Sequence, residues 1–379
     1  MEITLGLMST VTRDQVMHTL EGVRDPELGG NVVELGMITD VDIEGSKVDI
    51  GLALTIAECP LRSQIEGDTR RRVEAMPGVE AVNIRTTAMT KRQRAELMSV
   101  ARRHARENAE PTRVASTTRV IAVASGKGGV GKSSVSVNLA AGLAAEGFRV
   151  GLLDADIWGY SIPRMIGATG KLEADAESKL IEPVEASGVK IVSTGLIIES
   201  EETALMWRGL MLSKALEQFL KQVDWGDLDY LILDMPPGTG DVQMALTRML
   251  PQAEMVVVTT PQRAAQRVAV RVADMARRSH MPVIGVIENM SGDVFGHGGG
   301  DQLADELGVA MLGSVPLDSA VVEGGDNGRP VVLQPGSGPA AAAFAKTVEK
   351  VMAVVPTADL ETCTGRIAKL IADLEDGAA

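Results

Sequence analysis

The stretch "ASGKGGVGKSS", Ala124–Ser134, decides the fold of this chain. Residues 126–133 fit the phosphate-binding loop pattern G-x-x-x-x-G-K-[ST]. Glycines in such a loop let backbone N–H groups wrap a polyphosphate, and the N-terminus of the following helix points at the same anion. Lys132 is the lysine that the pattern requires. Lys127 is a second lysine that the pattern does not require, and its presence needs a separate explanation.

The loop predicts a set of nucleotide contacts. We expect Lys132 to reach the β- and γ-phosphates and the hydroxyl of Ser133 to ligate Mg²⁺. The alternative, a flexible surface turn, would need neither a strand before the loop nor a helix after it, and the sequence predicts both. The residues predicted to bind the nucleotide are Gly126, Lys127, Gly128, Gly129, Val130, Gly131, Lys132, Ser133 and Ser134.

Short apolar runs separated by helix-length segments continue from Arg119 onward. They are "RVIAVAS", "RVGLLDAD", "VKIVST", "DYLILDMP", "AEMVVVTT", "MPVIGVIENM" and "VAMLGSVP". Near-continuous apolar strands are typical of a parallel sheet covered by helices on both faces. The predicted fold class is therefore α/β, a P-loop domain with a mostly parallel sheet. Ligands of such sheets bind beyond the carboxyl ends of the strands.

Acidic residues follow two of these runs where the ligand is expected. Asp154 and Asp156 end the second run, and Asp234 ends the fourth. We predict that Asp154 lies nearer the metal, that Asp156 holds or polarises the attacking water, and that Asp234 orients water bound to Mg²⁺. The metal set is then Ser133, Asp154 and Asp234. Solvated loop acids are the alternative for the first pair. The prolines and glycines of residues 236–240 are interpreted as a γ-phosphate switch.

The remaining chain divides by composition. Residues 1–92 predict a small α/β unit, with Thr12 as a helix N-cap and a hairpin turn at residues 44–46. Residues 93–118 are interpreted as a linker, 119–355 as the P-loop domain and 356–379 as a helical tail.

Charge and cysteine content restrict the function further. The chain has 379 residues and a net charge of −14, which disfavours binding to nucleic acid or anionic lipid. The basic segment Thr90–Arg106 lacks aromatic residues and is interpreted as a solvated helix face or linker. No secretory pattern and no apolar run of about 20 residues is present, so we expect a cytoplasmic protein without a membrane partner. Two cysteines, Cys59 and Cys363, form no C-x-x-C pair.

These motifs together resemble a known family. "GKGGVGKS", with its extra lysine, is similar to the deviant Walker A motif of the MinD, ParA and nitrogenase iron protein class. The segments "LLDADIWGYSIPRMIG", "WGDLDYLILDMPPGTGD", "IENMS" and "FGHGGG" resemble the Mrp/ApbC iron–sulfur cluster carrier ATPases. That resemblance covers about residues 119–333. "VRDPELGGNVVELGMI" and "ALTIAECPL" resemble the small metal–sulfur cluster biosynthesis domain fused to many family members.

The resemblance implies a function for the second lysine. In this class the extra lysine, here Lys127, reaches across a homodimer to the γ-phosphate held by the partner subunit and acts as a charge clamp. The catalytic set would then be Lys127, Lys132, Asp156 and Asp234. By the same resemblance, Asn289 would contact the adenine edge and Pro261 would border the base. The implied cofactors are ATP and Mg²⁺ with an iron–sulfur cluster as cargo, and the implied partners are apo iron–sulfur proteins or assembly factors.

The chain departs from the family at the cluster site. Many members carry a C-x-x-C shortly after "ENMS", whereas this chain continues "GDVFGHGGG" without a cysteine. Cys59 precedes a predicted helix start, where a thiolate is favoured, so it is either an iron–sulfur ligand or a small buried residue at a helix cap. Cys363 is interpreted as a helix-surface residue and His297 as a loop histidine.

Three hypotheses about function therefore stay open at this stage. The first is an ATP-hydrolysing iron–sulfur cluster carrier that acts as a homodimer. The second is a positioning ATPase like MinD or ParA, which binds a surface and carries no cargo. The third is an ATP-dependent scaffold or metallochaperone that binds no cluster itself.

Overall fold

The computed structural model describes residues 11–25, 28, 30–55, 61–107, 110–156, 159–175, 178–197, 209–238 and 241–357. The chain divides into two compact units, Met1–Asn108 and Ala109–Ala379. The predictions for Cys59, Cys363, Gly240 and the helical tail beyond residue 357 fall outside the described residues.

The first unit is a three-stranded sheet packed by helices. Its elements are α1 (Arg13–Leu20), β1 (Ile38–Glu44), β2 (Lys47–Leu54), α2 (Arg62–Glu74), β3 (Ala81–Ala88) and α3 (Lys91–Glu107). β1 pairs antiparallel with β2, and β2 pairs parallel with β3 through the crossover helix α2. Thr12 caps α1 in a capping box with Gln15, as predicted. Gly45 makes the β1–β2 turn with a φ of 63°.

The first part of the predicted linker, residues 93–107, belongs to helix α3 and packs against the first unit. Residues 93–107 do not form an extended connection, because they belong to a helix that begins at Lys91. Leu97 and Ala101, four residues apart on one face, are buried in the core of the first unit. Because many basic residues surround them, composition alone does not reveal this apolar stripe.

The second unit contains the remaining elements. They are β4 (Arg119–Ser125), α4 (Lys132–Ala145), β5 (Val150–Asp154), α5 (Ile162–Ile166), β6 (Glu173–Ala174), β7 (Ile181–Glu182), β8 (Val184–Ala186), β9 (Val189–Val192), α6 (Gly209–Gln222), β10 (Tyr230–Asp234), α7 (Asp241–Met249), β11 (Glu254–Thr259), α8 (Arg263–Arg278), β12 (Val283–Ser291), α9 (Gly299–Leu307), β13 (Ala310–Pro316), α10 (Ser319–Asp326) and α11 (Pro339–Val354). Two 3₁₀ turns, Thr194–Leu196 and Val331–Leu333, lie between them.

The large sheet has the strand order β13-β12-β11-β4-β10-β5-β9-β8. All of its pairs are parallel except β8–β9. Every apolar run that predicted a strand forms one, and the predicted fold class is confirmed. The sequence did not predict β6, β7 and β8, which are two or three residues long and largely exposed.

Alternate residues of the central strands pack into two cores, one on each face of the sheet. In β4, Ile121 and Val123 face the core shared with α4 and α11, whereas Ala122 and Ala124 face the core shared with α7 and α8. Both cores consist mainly of aliphatic side chains, in agreement with the aromatic content of 2%. Among the described residues, no helix combines the length and the apolarity needed to cross a bilayer.

Candidate nucleotide-binding site

The loop between β4 and α4 forms an open cradle. Gly129 and Gly131 have φ angles of 78° and 77°, in the left-handed region that favours glycine. A Cβ atom added at Gly128 or Gly129 would meet no heavy atom within 4 Å. Helix α4 begins directly after Gly131, so its unpaired N–H groups face the same space. The arrangement suits a polyphosphate.

Gly126 is the point where the loop touches its neighbours most closely. A Cβ atom there would lie 2.5 Å from the carbonyl carbon of Val268 and 2.7 Å from the nitrogen of Ala269, both in the backbone of α8. A backbone contact of this kind cannot be relieved by a rotamer change. The first glycine of the loop is therefore fixed by packing against α8.

We expect Gly126→Ala to lower the free energy of unfolding by about 2 kcal/mol, because the loop or α8 must shift to admit the methyl group. Gly128→Ala is the matched control, since its methyl group would enter open space, and its expected change is within about 0.5 kcal/mol. Urea unfolding of both variants checks this. Equal unfolding midpoints for the two variants would contradict the packing argument.

Two buried carboxylates meet where adjacent strands end. Asp234 of β10 and Asp154 of β5 are register partners, and both are fully buried. Lys132 Nζ lies 2.7 Å from Asp234 Oδ2 and 3.8 Å from Asp156 Oδ2. Ser133 Oγ donates to the same Asp234 Oδ2 at 2.7 Å. The structure thus brings together the predicted residues Lys132, Ser133, Asp154, Asp156 and Asp234.

Burial and mutual repulsion dominate the electrostatics of this cluster. Burial raises the pKa of Asp154 well above its usual range, the charge of Asp234 raises it further, and the hydrogen bond donated by Ser193 Oγ opposes both effects. Burial also raises the pKa of Asp156, and the positive charge of Lys132 opposes that rise. A divalent cation placed among these groups would favour their ionised forms.

The donor set fits Mg²⁺. The available ligands are hydroxyl and carboxylate oxygens, which this ion prefers. Within the described ranges, no group of three or more His, Cys, Asp or Glu side chains is arranged to hold a metal ion by itself. Mg²⁺ ordinarily takes one or two carboxylates and completes its shell with water and substrate phosphates. The predicted set Ser133, Asp154 and Asp234 would hold it here, and this assignment stays a prediction.

Two cavities share a boundary at this edge of the sheet. The first, of about 260 Å³, follows the glycine loop and reaches Asp156 and Pro237. The second, of about 310 Å³, lies beside it against Leu317, Val321 and Met290. Ser134 and Met165 line both cavities. A charged compartment therefore adjoins a mainly apolar one, whose lining also includes Arg164, Asp318 and Asp326. A nucleotide's phosphates and base require two compartments of different polarity.

The two residues predicted to border the base have different positions. Asn289 lines the second cavity, but its Nδ2 donates to the carbonyl of Val130 at 2.9 Å, so this amide supports the glycine loop from behind. Pro261 lines neither of these two cavities, and its predicted place beside the base stays a prediction. Its carbonyl accepts from Gln266 Nε2, and its backbone closely approaches Gly299.

The second lysine of the loop lies apart from the acidic cluster. Lys127 lines the phosphate cavity, is half-buried, and donates to Gln262 Oε1 of its own chain at 3.4 Å. This contact lies within one protomer, so the role predicted for Lys127 across a dimer stays a prediction.

The segments "ENMS" and "FGHGGG" are joined by hydrogen bonds to Glu288. Glu288 is buried and accepts from the backbone nitrogen of Gly300 at 2.6 Å and from Ser314 Oγ at 3.2 Å. Its carboxylate thus sits at the N-terminus of α9, where a negative charge is stabilising. Gly292 and Gly296 pair through two backbone hydrogen bonds and close the loop that replaces the C-x-x-C. His297 is exposed and its Nδ1 lies 3.0 Å from Ser291 Oγ, consistent with a loop histidine.

Three polar residues that hydrogen-bond to the predicted site residues were not themselves predicted. Ser193 Oγ donates to Asp154 at 2.9 Å, Ser136 Oγ donates to Asp234 at 2.6 Å, and Gln262 holds Lys127. Ser136 lies four residues after Lys132 and therefore on the same face of α4. Ser193 and Gln262 each stand at or just beyond the end of a predicted strand, at the edge where ligands of such a sheet bind.

The glycine cradle, its lysine and the paired acids at neighbouring strand ends define a P-loop NTPase. Residues 116–352 match the family described as NUBPL iron-transfer P-loop NTPase, and residues 13–84 match the iron-sulfur cluster assembly protein family. The chain belongs to the NUBPL iron-transfer P-loop NTPase family. The resemblance inferred from the motifs is confirmed for both parts of the chain.

Known relatives agree with this assignment. The chain is 45% identical over 344 residues to the iron-sulfur cluster carrier protein of Mycobacterium leprae, covering 86% of this chain and 89% of that one. It is 44% identical over 355 residues to the iron-sulfur cluster carrier protein of Synechocystis sp., and this match covers 89% of this chain and 97% of that one. Among solved structures, a nucleotide-binding protein from Archaeoglobus fulgidus in complex with ADP matches with a TM-score of 0.50 and 33% identity, covering 60% of this chain and 92% of that one. These relatives do not favour a MinD-like or ParA-like positioning function.

Proposed function

We propose that this chain is an ATP-hydrolysing iron–sulfur cluster carrier that works as a homodimer with nucleotide held between its subunits. The observation that carries the ATPase part is the convergence of Lys132, Ser133 and Asp234 beside an open glycine cradle. The carrier part is supported by the relatives, which are iron-sulfur cluster carrier proteins.

Nucleotide binding rearranges the contacts of Lys132. The phosphates occupy the cavity along the glycine loop, and the base occupies the adjoining apolar cavity. Lys132 leaves Asp234 Oδ2 and binds the β- and γ-phosphates, which frees this oxygen and the Ser133 hydroxyl to face the metal. When bound, Mg²⁺ neutralises the charge that develops on the transferring phosphoryl group.

Hydrolysis proceeds by direct attack of water on the γ-phosphorus. Asp156, whose side chain is partly exposed at the phosphate cavity, accepts a hydrogen bond from that water and aligns it. The bond between the γ-phosphorus and the β–γ bridging oxygen breaks and ADP leaves with the electron pair, while a proton of the attacking water passes to an oxygen of the released phosphate. The partner subunit's Lys127 neutralises the charge on the γ-phosphoryl oxygens, so closure of the dimer and hydrolysis are coupled.

The cluster is cargo, and its ligands differ from those of the family pattern. With no C-x-x-C after Met290, Cys59 is the proposed thiolate ligand, one from each subunit. A dimer then supplies two thiolates from this position, and other donors complete the coordination.

Anaerobic reconstitution with iron and sulfide tests the carrier function. We expect the wild type and Cys363→Ser to bind iron and sulfide in stoichiometric amounts with visible absorption, and Cys59→Ser to bind neither. Cys363→Ser is the matched control because it removes the other cysteine of the chain. A cluster retained by Cys59→Ser would exclude Cys59 as a ligand and leave the carrier function standing.

A second function is favoured by the same sequence departure. Without the C-x-x-C, an ATP-dependent scaffold that recruits clients and binds no cluster itself remains consistent with the intact nucleotide site. Absence of any cluster in the reconstituted wild type, together with nucleotide-dependent binding of an apo iron–sulfur protein, would select this alternative.

A further inference from the structure

Ser136 is a buried hydroxyl that neither the phosphate-loop pattern nor the catalytic set includes. It lies in α4, four residues after Lys132, and is fully buried. Its Oγ is 2.6 Å from Asp234 Oδ1 and 3.1 Å from the carbonyl oxygen of Lys132. A hydroxyl has one proton to donate. The shorter distance and the stronger acceptor assign that proton to the carboxylate.

The two oxygens of Asp234 have different kinds of partner. Oδ2 accepts from Lys132 Nζ and from Ser133 Oγ, both at 2.7 Å, and both donors lie at the phosphate cavity. Oδ1 accepts from Ser136, which does not line either cavity. In the proposed function, nucleotide and metal take Lys132 and Ser133 away from Asp234. Ser136 is the donor that stays.

We propose that Ser136 is a positioning residue for metal binding, which it serves by holding Asp234 Oδ1 inward so that Oδ2 faces the phosphate cavity. The inference rests on the proposed Mg·ATP function and deepens it. A carboxylate can rotate about its Cβ–Cγ bond, and a hydrogen bond to one oxygen fixes where the other oxygen points. Partners of this kind behind a metal ligand change metal affinity by about 10-fold to 100-fold when they are removed.

The test separates metal-dependent from metal-independent nucleotide binding. The Kd of a non-hydrolysable ATP analogue is measured by calorimetry in excess EDTA and again in excess Mg²⁺. The readout is the Kd in EDTA divided by the Kd in Mg²⁺, which is the gain in affinity that the metal provides. In Ser136→Ala we expect this ratio to fall at least about 10-fold from the wild-type ratio. Alanine adds no volume and suits a helix interior, so the variant is expected to fold.

Two further variants distinguish positioning from packing. Thr347→Ala is the matched control, because Thr347 is also fully buried and its Oγ1 donates at 2.7 Å to a carbonyl four residues back, that of Ala343 in α11. Its ratio should equal that of the wild type. Ser136→Thr keeps a hydroxyl at the same position and is expected to recover most of the metal dependence. A melting temperature for each variant accompanies the binding data.

The outcomes are decisive for the inference and for the function on which it rests. If Ser136→Ala weakens binding equally with and without Mg²⁺, or lowers only the melting temperature, the ratio stays at the wild-type value and the positioning role is overturned while the proposed function stands. If the wild type itself gains no affinity from Mg²⁺, the proposed Mg·ATP function and this inference both fall.

Discussion

Lys132→Ala is expected to weaken the binding of Mg·ATP by about 10²–10³-fold. The substitution removes the cation that contacts the phosphates, and it leaves Asp234 and Asp156 without the ammonium group that lies 2.7 Å and 3.8 Å from them. The negative cluster that remains would then repel a polyphosphate. Titration of a fluorescent ATP analogue in the presence of Mg²⁺ measures the change.

Lys171→Ala is the control for this experiment. Lys171 is an exposed lysine of the same unit and lines neither cavity, so its removal should leave the affinity within about twofold of the wild type. Normal Mg·ATP binding by Lys132→Ala would mean that residues 126–133 are not the phosphate-binding loop.

Lys127→Ala is expected to slow ATP hydrolysis on the order of 10³-fold while changing the affinity of an isolated subunit for ATP by only a few fold. The side chain contacts Gln262 and not the acidic cluster, so its loss leaves Lys132, Asp154, Asp156 and Asp234 paired as before. The proposed effect arises in the partner's site, where its charge acts on the transition state. Single-turnover hydrolysis and nucleotide binding, measured separately, resolve the two effects.

Mixing two inactive variants tests whether this lysine acts across the dimer. A subunit carrying Lys127→Ala retains Lys132, and a subunit carrying Lys132→Ala retains Lys127. In a mixed dimer, one of the two sites therefore has both lysines if Lys127 acts on its partner. An equal mixture that exchanges subunits should recover about a quarter of the wild-type rate, because half of the dimers are mixed and each has one complete site. No recovery on mixing would assign Lys127 to its own subunit's site.

Much of the site was predictable because strand ends converge in a parallel sheet. The apolar runs before Asp154 and Asp234 predict two strands, and the fold class then brings their carboxyl ends to one edge. The sequence does not reveal that β10 lies between β4 and β5, and that order is what makes the two acids register partners. Spatial order depends on how the helices pack over the sheet, and no local pattern encodes it.

Other features were not predicted from the sequence, and the physical reason differs from one feature to the next. Ser193 and Gln262 are ordinary residues whose roles arise only from the partners that the fold brings near them. The inward packing of helix α3 was not predicted, because its charged residues outnumber the apolar ones and suggested either a solvated helix face or a linker.

The contact between Lys132 and Asp234 has a consequence for which ligands the proposed site would accept. The lysine is an internal counter-ion to the carboxylates around it. A free anion such as inorganic phosphate would have to draw that lysine away and leave the acids uncompensated. Mg·ATP brings a cation of its own, so the incoming metal can replace the departing ammonium group. Under the proposed function, binding is an ion exchange, and we expect the site to prefer metal-complexed nucleotide over bare anions by charge balance as well as by shape.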